Sequence, residues 1–172
     1  MWIRRHPLLA LFGGLVVIAV LVPVVAYGVV PLFVRSTLHE AAPAAAATSV
    51  SVSSVSASPA AAVPTVLASG GLRRISPVHY GSGSVQLLQV GEQHFLRFQD
   101  VDIAAAPDMF VYLSDANDGS PGKYRDLGRL KATSGSFNYE LPGDVELDGI
   151  RSVVVWCRTF VVTITFATLA RG

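Results

Sequence analysis

The apolar and polar positions follow one pattern at the N-terminus and another in the C-terminal half. From Pro7 to Val34 no side chain is charged. At about 1.5 Å of rise per residue, roughly 20 apolar residues cross the hydrocarbon core, so residues 7–34 are predicted to form one tilted transmembrane helix. Pro23 and Pro31 are tolerable there, because neighbouring groups can satisfy the freed carbonyls. A core helix is disfavoured, since the run has no polar face. Arg4 and Arg5 precede it, which places the short N-terminus in the cytoplasm; Arg35 weakens that bias without reversing it. A cleaved signal peptide would have an apolar region of about 7–15 residues. This run is far longer, and the small residues Ala41–Ala47 lie well past it. The expectation is an uncleaved single-pass signal anchor in the plasma (inner) membrane, with everything downstream extracytoplasmic.

Ala, Ser, Val and Pro then dominate, with almost no charge or aromatic side chain. Such a segment buries too little apolar surface to offset the entropy of ordering it. Residues 35–76 therefore read as a disordered, flexible linker, centred on Ser36–Gly71. Its random-coil span would hold the next domain roughly 30–36 Å from the membrane.

From Pro77 the pattern becomes short apolar runs cut by turn formers. Ser84–Val90 and His94–Asp100 flank a Gly-containing turn and predict a hairpin. In the second run His94, Leu96 and Phe98 share one face, and Phe95, Arg97 and Gln99 the other. Met109–Ser114 predicts a further strand. Asp115–Asp126, rich in Asn, Asp, Gly, Ser and Pro, predicts a loop. "LGRLKA" and "SFNYEL" around "TSG" predict a second hairpin, and "SVVVWC" and "FVVTITFATLA" close the chain. No 3.6-residue period of useful length appears. Residues 77–172 are thus expected to form an all-β domain, an antiparallel β-sandwich or barrel-like fold.

Composition sharpens this division. Of 172 residues, 51% are hydrophobic and only 15% charged. Residues 1–76 carry five Lys/Arg and one acid, +4; residues 77–172 carry eight and eleven, −3. The basic residues are scattered with no aromatic stripe, so nucleic acid is not an expected partner. One cysteine excludes an intramolecular disulfide and a Cys-rich zinc cluster. No catalytic motif is present: there is no nucleophile elbow or Ser-His-Asp spacing, and no paired carboxylates stand out. Counted from Asp115, an EF-hand would need Gly at the sixth position and Glu at the twelfth; Ser120 and Asp126 stand there.

The motifs of the C-terminal part resemble the DM13 domain of the electron-transfer DM13 family. They are Pro107-Asp108 before Val111-Tyr112-Leu113, the Asp-Leu-Gly-x-Leu step at Asp126–Leu130, and Gly135 followed by Tyr139–Pro142. The most specific is the Trp-Cys step of Trp156, Cys157, Phe160 and Val162. The resemblance covers about residues 79–170. It implies an all-β extracellular module with a proposed role in electron transfer. Its hallmark cysteine would act as a bare thiol or as the ligand of a prosthetic group such as haem. A redox partner protein is then the expected partner besides the membrane.

On this reading Cys157 is the candidate redox residue. Trp156 and Phe160 would shape its pocket, and His94 or Met109 would be the second ligand of a noncovalent haem. Without C-x-x-C-H, covalent attachment is excluded. A copper site would want two His with Cys, and the usual order and spacing are absent. Adjacent Arg158 would lower the thiol pKa if it faced the sulfur, but strand neighbours point to opposite faces. The competing reading makes Cys157 a buried core residue, since cysteine is among the most buried residue types. The protein would then be a non-redox surface binding or adhesion module working through the loops at Asp115–Arg125 and Pro142–Gly149.

Overall fold

The computed structural model describes Leu15 and residues 17–22, 35–44 and 63–172. The chain divides into two compact units, Met1–Val34 and Arg35–Gly172. In the first, Leu15 and residues 17–22 are helical. No helix among the described residues is long and apolar enough to cross a membrane. Most of the expected anchor, 7–34, lies outside the described residues.

Among the described residues the second unit has ten strands: β1 (Thr37–His39), β2 (Thr65–Gly71), β3 (Gly81–Val90), β4 (Gln93–Ile103), β5 (Met109–Ser114), β6 (Tyr124–Arg129), β7 (Ser134–Leu141), β8 (Ser152–Cys157), β9 (Val162–Thr168) and β10 (Ala170–Arg171). They form a six-stranded sheet in the order β1-β7-β4-β3-β2-β10 and a four-stranded sheet in the order β6-β5-β8-β9. Neighbours are antiparallel except β1, which runs parallel to β7. The expected all-β architecture is therefore two sheets, and no barrel closes.

Alternation explains the core. Val85 and Leu87, Leu96 and Phe98, and Phe137, Tyr139 and Leu141 come from the larger sheet. They join Val111 and Leu113, Val153 and Val155, Cys157 and Ile164 of the smaller one in one cluster. Phe98 stacks on Phe137 at 4.9 Å, with Tyr139 edge-on to both. Each such side chain contributes about 1.5–3 kcal/mol on burial. Leu96 and Phe98 point inward, as the period of two predicts. A bulge between Phe98 and Val101, with Asp100 at φ 50°, resets the alternation so that Val101 and Ile103 also face the core.

The structure corrects the sequence reading at two places. Neither end of the expected linker is free chain: Thr37–His39 pairs with β7, and Thr65–Gly71 pairs with β3. Residues 45–62, the middle of that linker, lie outside the described residues. The expected hairpin over Leu127–Leu141 does not form. β6 pairs with β5 and β7 with β4, so the chain crosses between sheets at Leu130–Thr133. Backbone bonds hold the crossing, Leu130 N–H to Met109 O (2.9 Å) and Ile103 N–H to Thr133 O (2.8 Å). The Tyr139 hydroxyl joins it by donating to Arg129 O and accepting from Lys131 N–H, both 2.9 Å. Burial pushes this phenol's pKa up, so it stays protonated.

Just past β1, the Glu40 carboxylate accepts from the Asn138 backbone N–H (2.7 Å) and side-chain amide (3.2 Å) and from Lys131 Nζ (3.2 Å). Burial works against the charged form. The Asn138 N–H and the bonded, charged Lys131 outweigh it and hold the Glu40 pKa below the usual Glu value. A lowered carboxylate pKa stabilises the fold above the unfolded value, near about 4.3, and the contribution fades as pH falls through the folded one. Glu40→Gln should therefore flatten the loss of stability below about pH 4.5, measured by denaturant titration across pH. An identical acid slope in both proteins would contradict this.

Candidate functional site

β8 runs between β5 and β9 and reads as a near-continuous apolar run because both of its faces are covered. Its inner face packs in the core. Its outer face lies under the Asp115–Ser120 loop, which accepts three hydroxyl bonds. Ser152 Oγ donates to Ala116 O (2.7 Å), Thr163 Oγ1 to Gly119 O (2.7 Å) and Thr168 Oγ1 to Asn117 O (3.1 Å). The loop predicted from turn residues is thus a packed flap.

The register of β5 with β8 fixes the candidate residues. Met109 stands opposite Cys157, Val111 opposite Val155 and Leu113 opposite Val153, all on the core side. Cys157 is 0% exposed. Its thiol donates to Pro107 O at 3.0 Å, across the β4–β5 connection. Its side-chain neighbours are therefore a thioether, a carbonyl and apolar core.

The next position in each strand faces the other way. Arg158 Nε donates to the Tyr112 hydroxyl (2.9 Å), its guanidinium pairs with Asp126, and its Cζ lies 3.4 Å from the Phe110 ring centroid. Tyr112 stacks on Tyr124 at 4.1 Å. Arg129 bonds Asp108 (2.6 Å) beside the same cluster and lies over Phe110. Arg158 is committed to this outer cluster and does not face the sulfur, so it supplies no charge to activate the thiol.

The remaining candidates are dispersed. Trp156 is on the outer face, in a cleft of about 390 Å³ with Ile75, His79, Gly119, Val161 and Phe166. Phe160 stands exposed in the β8–β9 turn. His94 opens β4 beside the β3–β4 turn, and its register partners are Gln89 and Leu141. Cys157 lies at the level of the other end of β4, nine residues or roughly 30 Å along the strand. A haem ligated by Cys157 with His94 therefore does not fit: the donors are at opposite ends of the sandwich, and the thiol is already bonded inside packed core. Only Met109 is brought to Cys157. Among the described residues, no group of three or more His, Cys, Asp or Glu is arranged to hold a metal ion.

A second cleft, also about 390 Å³, opens where two loops meet. Asp115 and Lys123–Arg125 line one side, and Asp144–Glu146 and Gly149 the other. Arg125 spans it to Asp144 at 2.9 Å. These are the loops that the binding reading singles out. Sequence reasoning missed the Pro107 carbonyl, the aromatic cluster around Arg158 and the flap. Pro107 left a signal as the proline two residues before β5, but nothing local says that its carbonyl meets the thiol.

A family model described as "Electron transfer DM13" matches residues 75–169, more than half of the chain and nearly all of the two-sheet unit. No curated protein and no solved structure matches.

Proposed function

The chain belongs to the electron transfer DM13 family, and from that membership we propose that it is a membrane-anchored, extracytoplasmic redox module with Cys157 as its redox group. The single observation that carries this is the placement of the chain's one thiol within the matched segment, inward at the end of a central strand and bonded to Pro107 O. Residues 7–34 are the proposed single-pass anchor in the plasma (inner) membrane, and the partner is a redox protein. Thiol–disulfide exchange requires an incoming sulfur to reach Cys157, which its burial opposes. The proposed role is that of a redox module serving a partner protein, and no electron-transfer step is assigned at the sulfur itself.

A second reading is favoured by a different observation. The loops at Asp115–Arg125 and Pro142–Gly149 converge on one cleft, while Cys157 has the surroundings of a packing residue. On that reading the domain binds a ligand through the loop cleft, and Cys157 only fills the core.

Redox titration of the full chain in detergent separates the two. The protein should come from a host able to supply prosthetic groups. On the redox reading the wild-type protein exchanges electrons in its native state and Cys157→Ser, still folded, does not. On the binding reading neither protein exchanges electrons. In both cases Cys157→Ser loses about 1–3 kcal/mol of stability, because a hydroxyl replaces a thiol in apolar surroundings. Native electron exchange that survives the substitution would eliminate Cys157 as the redox group.

A further inference from the structure

We infer that the end of the two-sheet unit carrying the 73–80 loop and the β8–β9 turn is a docking face for the lipid bilayer surface. The inference rests on the reading of residues 7–34 as a membrane anchor.

The first argument is where the chain joins the unit. Arg35 directly follows the proposed anchor, and it is already fixed: it donates to the Tyr80 hydroxyl at 2.6 Å and pairs with Asp102 at 2.9 Å. Ser36 is held by Thr133, and Thr37–His39 is paired with β7. The Ala/Ser-rich stretch thus lies between β1 and β2, inside the unit's own connectivity. The Ala/Ser-rich stretch is therefore no spacer between residues 7–34 and the unit, and the roughly 30–36 Å separation of a free linker does not apply.

The second argument is the chemistry of the surface beside Arg35. Ile75 and Val78 in the loop before Tyr80, and Phe160 and Val161 in the β8–β9 turn, are 48%, 71%, 59% and 72% exposed. Ile75 and Val161 line the same cleft, with Asp118 as its one acidic residue, so the two loop tips lie side by side. Arg73 and Arg74 flank it. They are exposed, lie over Phe166 and Tyr80, and make no ion pair among the described residues. Apolar tips beside arginines match the interface of an anionic bilayer, with side chains at the headgroup–acyl boundary and guanidinium groups at the phosphates. Val161 has φ 54°, a conformation that a β-branched residue adopts only under constraint. The turn therefore holds its apolar side chain outward at a local cost. The docking also places Cys157, at the base of this turn, in the membrane-proximal end of the unit.

The test uses the full chain in phosphatidylcholine vesicles with or without phosphatidylglycerol. A fluorescent label is placed at Val78→Cys, Phe160→Cys or, in the β3–β4 turn at the far end, Glu92→Cys. Wild-type protein serves as the control for labelling of Cys157. A lipid-borne nitroxide at a shallow acyl position should quench the labels at 78 and 160 and spare the one at 92, more strongly with phosphatidylglycerol. Near an anionic surface each arginine is worth about five-fold in the docked population, so Arg73→Glu with Arg74→Glu should lower it at least about 25-fold. Alkaline carbonate extraction of the same vesicles reports the anchor separately. Carbonate-resistant chain with no quenching at 78 and 160 overturns the docking face and leaves the anchor. Quenching at neutral pH with release by carbonate supports the face and overturns the anchor. Protein that never associates with vesicles overturns both.

Discussion

In the folded chain, the Cys157 thiol should react with a water-soluble aromatic disulfide at least about a thousand-fold more slowly than in denaturant. The sulfur is fully buried, and its proton is donated to Pro107 O. A reagent reaches it only when β8 separates from β5 or from the core. Opening free energies run from near zero at fraying ends to the global value for central strands. β8 has strands on both sides and a flap over its outer face. Its opening should therefore approach a global stability of about 5–15 kcal/mol. Even the lower limit, at a factor of ten per about 1.4 kcal/mol, exceeds a thousand-fold. The measurement is the native thiol titration rate against the rate in denaturant. Reaction within about ten-fold of the unfolded rate would mean that the end of β8 opens easily, and thiol exchange would return as a working chemistry. A slow native rate leaves electron exchange through packed protein, or a packing role.

Gly135→Val should cost at least about 3 kcal/mol and detach β1. Gly135 stands opposite Leu38 in the parallel β1–β7 pair and has φ 104°. A Cβ there would lie 2.1 Å from the Leu38 carbonyl oxygen, inside any permissible contact, and backbone cannot swing away as a side-chain end can. The unfavourable φ alone costs about 1–3 kcal/mol, and the clash adds loss of the β1 bonds. The Glu40 N–H, which donates to Ser136 O at 2.7 Å, should lose its protection from hydrogen exchange. Gly91→Ala is the control. Its φ of 60° carries a similar backbone penalty, but nothing lies within 4 Å of the new Cβ, so the cost should stay near about 1 kcal/mol. A valine variant of wild-type stability with the Glu40 amide still protected would show that β1 is not part of the folded unit.

The sequence by itself determined the parts that depend on neighbours along the chain. Short apolar runs bounded by turn formers identified the strands that carry Leu96, Phe98 and Val153–Cys157, and the period of two imposed by the pleat put Leu96 and Phe98 on one face. The same rule turned Arg158 away from Cys157, whereas Trp156, expected beside the thiol, was placed on the outer face only by the structure. The Trp-Cys step and its companions carried the family. Tertiary structure alone decided which strands pair. β1 and β2 come from Ala/Ser-rich sequence with no strand signal. They are held by backbone bonds to β7 and β3, which any side chains permit, and by contacts between residues nearly a hundred positions apart, such as Ser36 with Thr133. "LGRLKA" and "SFNYEL" look like a hairpin locally, yet the crossing at Leu130–Thr133 sends them to different sheets, held there by backbone bonds to Met109 and Ile103, which are distant in sequence. The candidate site divides in the same way. Its thiol was legible from one position, whereas its burial, its Pro107 partner and the separation of His94 followed only from how two sheets pack.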